Sequence, residues 1–348
     1  MIEKSELNEK EIKSEVKKHY NLDITKIETI DGGNANIYKL TDIHKNKYIL
    51  KEFQLKFNYK AILKEAHIID HLRKRKFPVP EYVTCTNNQK YFEHKGRIVI
   101  LQKYIEGKTK DKYTGNKQNL LESTKYLGLL VNALEDYPYN DMFKSNIKKF
   151  TTNEDIEKSI EKYKNLIIQI AKADVYGEEI KKDLNDKIEM LKEIQKDQTI
   201  TKITNITIKK THGDYNVLQF IYDSNDSIKV ILDFATAGEL PIVWELARSY
   251  NYMDKECKNG EFNIDNLILY IKEYLKYSKL TKEDLKYLPY IYLIQLLSST
   301  YGYKQYLQTN NLAMLEFGKE RTKICRYLMK NKEIISKRLL KALSKQLV

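Results

Sequence analysis

The sequence predicts an α+β fold in which a strand-rich N-terminal region precedes a mainly helical region. Short apolar runs with β-type alternation recur before residue 103, whereas apolar residues at helical spacing dominate from about residue 108 onward. One pair of β-type runs, 217–222 and 228–232, interrupts the helical region around the polar cluster Asp223-Ser224-Asn225-Asp226. Such a pair predicts a β-hairpin, so strands and helices are segregated along the chain.

The N-terminal region is expected to form a five-stranded antiparallel sheet with helices. The predicted elements are a helix at 8–20, strands at 24–30, 37–40 and 48–53, a helix at 57–76, and a hairpin over 91–101 that closes the sheet. The second helix ends near Phe77-Pro78-Val79-Pro80, because proline cannot continue a helix.

A glycine loop and a buried lysine are candidate ligand contacts in this region. Gly33 and Asn34 lie between two strands, where the backbone can approach a ligand and turn N–H groups can bind phosphate oxygens. An ordinary hairpin turn is the alternative. Lys51 lies inside an apolar run, where an unpaired ammonium is costly, and Glu65 on the next helix is a candidate partner. The alternative is an edge lysine that reaches water and a glutamate on the helix surface.

The C-terminal region is expected to be helical apart from the hairpin. Helices are predicted over 153–173 and 176–196, with another from Ile242. Residues Thr281 to Asp284 fit a helix N-cap, and Pro289 is predicted to break or restart that helix. The last helix is expected to pack through Ile324, Leu328, Ile335, Leu339 and Leu343.

The predicted hairpin carries a carboxylate at each end. Asp214 precedes the first run and Asp233 follows the second. Because an antiparallel hairpin brings its open ends together, we expect both acids to face one point, with Gln219 between them. A carboxylate that accepts a hydroxyl proton beside oxygens suited to Mg²⁺ is what phosphoryl transfer requires.

These residues resemble a known family. His212-Gly213-Asp214, Gln219 five positions later and Leu232-Asp233-Phe234 resemble the catalytic and metal motifs of the aminoglycoside phosphotransferase family, which includes relatives of choline kinase and homoserine kinase. The resemblance implies a bilobal protein-kinase-like fold, with a nucleotide-binding lobe at 1–103 and a catalytic, acceptor-binding helical lobe at 104–348. It also implies an ATP- or GTP-dependent kinase that acts on a hydroxyl of a small molecule, aminoglycoside-, amino-sugar-, choline- or homoserine-like.

The resemblance also implies a role for each site residue. Asp214 corresponds to the catalytic base, and Asp233 and Gln219 correspond to the Mg²⁺ ligands. Lys51 corresponds to the lysine that holds the α- and β-phosphates of the nucleotide, and Glu65 to the glutamate that orients it.

Four further positions follow from the same resemblance. Gln102 and Tyr104 lie where the hinge backbone contacts adenine, while His212 and Glu245 correspond to residues that brace the catalytic loop. The family usually has Asn where this chain has Gln219. A nucleotide-binding pseudokinase with weak catalysis is therefore the alternative function.

Composition and charge narrow the range of possible functions and cellular locations. The net charge is +13, but the last thirty residues hold ten Lys or Arg against two Glu, so the excess belongs mainly to one helix. A basic nucleic-acid binder is a third hypothesis, although no known nucleic-acid-binding module is visible. The three cysteines are scattered, and the sequence shows neither an apolar signal core nor a run of about 18 apolar residues. These features predict a cytoplasmic protein. We expect a monomer or a homodimer.

Overall fold

The computed structural model describes residues 5–30, 35–55, 59–138, 152–171 and 174–347. The helices are α1 Glu9–Tyr20, α2 Tyr59–Lys74, α3 Lys117–Leu134, α4 Asn153–Gln169, α5 Gly177–Lys196, α6 Thr199–Lys202, α7 Ile242–Met253, α8 Ile264–Tyr274, α9 Lys282–Ser298, α10 Tyr301–Thr309 and α11 Leu312–Leu343. The strands are β1 Ile24–Ile30, β2 Ala35–Asp42, β3 Lys47–Phe53, β4 Tyr91–His94, β5 Arg97–Lys103, β6 Ile208–Thr211, β7 Phe220–Tyr222, β8 Ile228–Ile231 and β9 Gly238–Pro241.

The chain divides into two compact units. The first unit contains residues 1–109 and 219–237, and the second contains 110–218 and 238–348. The segment that carries the hairpin therefore groups with the N-terminal part of the chain. The predicted functional division between residues 103 and 104 stays a prediction.

The first unit is built on the predicted five-stranded antiparallel sheet. Its strand order is β1-β2-β3-β5-β4, and every neighbouring pair is antiparallel. Leu40, Leu50 and Val99 are completely buried on one face, where Ile12 and Val16 of α1 join the same apolar core. Helix α1 starts at a capping box, in which the Asn8 side chain accepts from the Glu11 N–H. The predicted sheet and helix are confirmed.

The second unit is mainly helical, as the apolar spacing predicts. Helix α11 packs against α9 and α10, and the five residues predicted to face its core are buried. Thr281 and Asp284 form the predicted N-terminal cap of α9 as a capping box. Strands β6 and β9 form a two-stranded antiparallel pair in this unit.

The predicted break at Pro289 is wrong. Proline 289 lies inside α9, which continues without interruption from Lys282 to Ser298. A proline removes one backbone hydrogen bond, in this case the one to the carbonyl of Leu285. Leu285, Leu288 and Leu293 are completely buried around it, and their packing maintains the helix across the lost bond.

No helix in the described part of the chain is both long enough and apolar enough to cross a lipid bilayer.

Candidate active site

The predicted hairpin is present in the first unit. Strands β7 and β8 pair antiparallel, with Phe220 opposite Ile231. The first strand starts at Phe220 rather than at residue 217, because residues 217–219 form a short 3₁₀ turn. Beyond the last strand pair, the Leu232 N–H donates to the Gln219 carbonyl at 2.8 Å. Gln219 therefore lies opposite Leu232 and next to Asp233 at the open end of the hairpin.

Asp233 has an uncommon backbone conformation. Its φ is 63° and its ψ is 66°, in the left-handed region, which costs an L-residue roughly 1 kcal/mol although Asp tolerates it better than most. A 3₁₀ turn over Phe234–Thr236 follows. The Phe234 N–H donates to Glu65 Oε1 at 3.2 Å, and this bond attaches the turn to helix α2. Surrounding structure thus holds a strained backbone at a predicted metal ligand, a feature common at functional sites.

Glu65 lies at the centre of a charged cluster within the first unit. Its side chain is buried, and burial raises the pKa of its carboxyl group, whereas the ammonium of Lys51 lowers this pKa and Asp233 raises it further. Lys51 projects from β3, between its strand partners Ile37 and Ile100. The structure therefore brings Lys51, Glu65 and Asp233 within electrostatic range of one another, although Lys51 and Asp233 are 182 positions apart in the sequence.

The remaining nucleotide-site predictions concern the glycine loop and the end of strand β5. Gly33 and Asn34 fall outside the described residues. Gln102 lies in β5 opposite Ile49, and Tyr104 follows the strand. The Tyr104 N–H donates to the Lys47 carbonyl at 3.0 Å, so an adenine would have to use other backbone groups of this segment.

The predicted catalytic loop belongs to the second unit and is held by Glu245. Gly213 adopts a φ of 79°, which permits the tight turn before Asp214. The carboxylate of Glu245, completely buried on α7, accepts from the Gly213 N–H at 2.7 Å and from the Tyr215 N–H at 2.9 Å. These two donors flank Asp214 on either side. Glu245 thus makes the contacts expected of a brace for this loop, and its effect on catalysis stays a prediction.

His212 lies buried beside Asp214, a position that fits the predicted structural role. Its side chain is completely buried, and its Nδ1 accepts from the Asp214 N–H at 3.3 Å. Its ring also makes an edge contact with Tyr215, with ring centres 5.8 Å apart.

Arg248 is a partner of Asp214 that the sequence analysis missed. Its Nε donates to Asp214 Oδ1 at 3.1 Å, and its terminal nitrogen donates to the same oxygen. The side-chain amide of Asn216 also donates to this oxygen, at 3.2 Å. Arg248 follows Glu245 by three positions, so both project from the same face of α7. That spacing was the available signal, because it places an arginine beside the predicted brace of the loop.

The residues at the open end of the hairpin suit a divalent cation. Asp233 supplies a carboxylate and Gln219 supplies an amide carbonyl, both hard oxygen ligands of the kind Mg²⁺ prefers. Within the described ranges, no group of three or more His, Cys, Asp or Glu side chains could hold a metal by itself. A Mg²⁺ ion here would therefore need phosphate oxygens to complete its ligand set, as nucleotide kinases do.

Comparisons with known proteins agree with this architecture. Residues 26–157 match the model of the phosphotransferase enzyme family, a range that includes Lys51 and Glu65 but ends before the hairpin. Spectinomycin phosphotransferase, solved with ADP and spectinomycin, aligns over 99% of this chain and 100% of its own, with a TM-score of 0.66 and 15% identity.

Two further kinases show the same likeness. Amicoumacin kinase, solved with AMP-PNP and Ca²⁺, aligns over 94% of both chains with a TM-score of 0.64 and 15% identity. Ethanolamine kinase of Plasmodium vivax aligns over 93% of this chain and 91% of its own, with a TM-score of 0.61 and 16% identity. The chain has the fold of these kinases. Part of the chain thus resembles the phosphotransferase enzyme family in sequence, and the kinase-like fold that the motifs led us to expect is confirmed. No curated protein sequence matches the chain at a significant level.

Proposed function

We propose that this chain is a kinase that transfers the γ-phosphoryl group of ATP or GTP to a hydroxyl group of a small molecule. The observation that carries the proposal is the braced loop at Asp214, which follows the sequence pattern of a catalytic loop and belongs to a kinase-like fold. In the cluster of the first unit, the Lys51 ammonium supplies positive charge for the phosphates of a nucleotide, Glu65 lies within electrostatic range of Lys51, and Asp233 is a carboxylate that could bind Mg²⁺.

Asp214 acts as the catalytic base in this proposal. It accepts the proton of the acceptor hydroxyl as the hydroxyl oxygen bonds to the γ-phosphorus. The bond from that phosphorus to the bridging oxygen breaks, and the nucleoside diphosphate leaves. Arg248 and Asn216 orient the carboxylate through Oδ1, and Glu245 keeps the loop in place through the N–H groups on either side of Asp214.

The first unit binds the donor nucleotide. Lys51 neutralises charge on the phosphates and Glu65 orients Lys51. Asp233 and Gln219 would hold Mg²⁺, which would supply positive charge to the phosphates of the nucleotide. Gly33 and Asn34 stay proposed phosphate contacts, and Gln102 and Tyr104 stay proposed contacts at the adenine end.

The acceptor class is proposed from the relatives. The similar structures are named as kinases or phosphotransferases of spectinomycin, amicoumacin and ethanolamine. By analogy, aminoglycoside-, amino-sugar-, choline- and homoserine-like alcohols are the acceptors to test first.

Paired carboxylate variants test the two proposed roles. Asp214→Asn removes the base but keeps a carbonyl that can accept from Arg248, so kcat should fall by about 10²- to 10⁴-fold with nucleotide affinity unchanged. Asp233→Asn preserves the left-handed backbone, since Asn also tolerates it, and should instead weaken Mg²⁺-dependent nucleotide binding. Calorimetric titration with Mg²⁺ and an ATP analogue, together with acceptor-dependent ADP release, separates the two effects.

Asp265→Asn is the matched control, because Asp265 is an exposed carboxylate of the second unit, paired with Arg338. It should leave both measurements unchanged. Turnover by Asp214→Asn at the wild-type rate would show that Asp214 is not the base.

A nucleotide-binding pseudokinase is the second candidate, favoured by Gln219 in the position where the family usually has Asn. The substitution Gln219→Asn distinguishes the two candidate functions. A catalytically weak protein should gain Mg²⁺-dependent ATP turnover from this substitution, whereas an active kinase that already uses Gln219 should gain little.

A further inference from the structure

Three cations surround one tyrosine beside the proposed base in the second unit. Arg248, which binds Asp214, places its guanidinium carbon 4.7 Å from the centre of the Tyr252 ring. Arg321 donates to the Tyr252 hydroxyl at 3.0 Å, and the Lys112 ammonium lies 5.8 Å from the centre of the same ring. We define these four residues, Lys112, Arg248, Tyr252 and Arg321, as the cationic cluster.

In the described residues, two carboxylates pair with the three cations of the cationic cluster. Asp214 pairs with Arg248, and Glu320 pairs with Lys112 at 2.6 Å. Arg321 stacks over Phe317 at 4.4 Å, and no carboxylate of the described residues lies within 4.0 Å of it. Arg321 therefore has no carboxylate partner among the described residues. It is connected to the proposed base through Tyr252, which Arg248 also contacts.

The pKa of the Tyr252 hydroxyl group is affected by this excess of positive charge. Burial opposes ionisation of its hydroxyl group, yet the charges of Arg248, Arg321 and Lys112 outweigh burial and lower the pKa of Tyr252 below its usual value of 10. Like-charged groups repel at such distances, so an acceptor with several ammonium groups would be disfavoured here. A planar guanidinium, by contrast, matches the geometry of carboxylate and phosphate groups.

We infer that the acceptor carries an anionic group, a carboxylate or a phosphate, which Arg321 binds while the acceptor hydroxyl lies at Asp214. This inference rests on the proposed kinase function and narrows its acceptor class to acidic hydroxy compounds. Arg248 positions Asp214, and Lys112 contributes charge while paired to Glu320. Among the acceptor classes proposed above, homoserine-like compounds carry such a group. Choline and the aminoglycosides do not, and we expect them to be the poorer acceptors.

Acceptors that share one skeleton but differ in charge test the inference. Glycerate, glycerol 3-phosphate and glycerol form one set, and L-homoserine and 3-amino-1-propanol form a second, in which only homoserine has a carboxylate. Choline and kanamycin represent the cations. Binding is measured by calorimetry on the full chain with Mg²⁺ and a non-hydrolysable ATP analogue, and turnover by ADP release. We expect the anionic member of at least one set to bind and turn over better than its uncharged or cationic counterpart, with the comparison of carboxylate and phosphate identifying the anion.

Variants of Arg321 connect that preference to the cationic cluster. Arg321→Gln should weaken anionic-acceptor binding by about 10- to 100-fold, as expected for a lost charged hydrogen bond, without changing the KM for ATP. Arg321→Lys retains the charge and should recover part of the affinity. Arg338→Gln is the matched control on the same helix, since Arg338 is an exposed residue that pairs with Asp265.

The outcomes separate the inference from the function on which it rests. Turnover of choline or kanamycin alone, with no binding of any anionic probe, would overturn the inference and leave the kinase function intact. Anion binding that depends on Arg321, without turnover of any acceptor, would support the anion-binding role of the cationic cluster and contradict the kinase function. Anion binding that Arg321→Gln leaves unchanged would overturn the assignment to Arg321.

Discussion

Removal of the Glu245 carboxylate should loosen the loop that carries Asp214. Glu245 is completely buried and accepts from two backbone N–H groups, those of Gly213 at 2.7 Å and Tyr215 at 2.9 Å. Because these residues lie on either side of Asp214, the two bonds fix both ends of the short segment that holds the proposed base.

The expected cost follows from the number of donors left without an acceptor. A buried N–H that loses its partner costs about 1–3 kcal/mol, so Glu245→Ala, which orphans two, should lower the free energy of unfolding by about 2–6 kcal/mol. Removal of a buried charge offsets part of this cost, which favours the lower half of that range. Glu245→Gln keeps one acceptor oxygen and should cost about 1–3 kcal/mol.

Urea unfolding at constant pH measures these differences, with an unchanged m-value as the sign that the same transition is compared. Glu161→Gln is the control, since Glu161 is an exposed residue of α4, and it should shift stability by no more than about 0.5 kcal/mol. Both Glu245 variants should also lower kcat more than the KM for ATP. Wild-type stability and kcat in Glu245→Ala would refute the bracing role.

Two other predictions concern stability. Gly302→Ala should lower the free energy of unfolding by about 1–3 kcal/mol, measured as a drop in Tm, because the added Cβ would lie 2.7 Å from the Gly318 nitrogen; an unchanged Tm would show that α10 can move away from α11. Burial raises the pKa of Glu245 above its usual 4.5, so its contribution to stability is fully present below that pH and is lost as pH rises through the folded-state pKa. The free-energy advantage of wild type over Glu245→Gln should therefore shrink from pH 4.5 toward neutrality, and a growing advantage would contradict this.

Local patterns explain why the sheet and hairpin could be predicted. Strand alternation and the turn at 223–226 are encoded by neighbouring residues, and the Asp223 side chain closes that turn by accepting from the Asn225 and Ser227 N–H groups. The bracing role of Glu245 followed from its place in a motif that resembles a known family. Such features need no knowledge of distant contacts.

The missed features depend on tertiary structure or on side-chain competition. Arg248 binds Asp214 across 34 positions, and its helical spacing from Glu245 places it near the loop without specifying that contact. The hairpin strand starts late because the Asn216 side chain accepts from the Leu218 N–H at 3.0 Å, which favours a turn over an extended backbone. Pro289 stays helical because the leucines around it are buried, and sequence alone does not show how well a neighbour will pack.

A crystal structure of the chain with Mg²⁺ and a non-hydrolysable ATP analogue would show whether Asp214 and Asp233 serve one phosphoryl-transfer centre. We predict that oxygens of Asp233 and Gln219 bind the ion at about 2.1 Å, and that the Asp214 carboxylate faces the γ-phosphoryl group. Carboxylates of Asp214 and Asp233 that open into separate cavities, with the nucleotide bound away from Lys51, would contradict the proposed reaction.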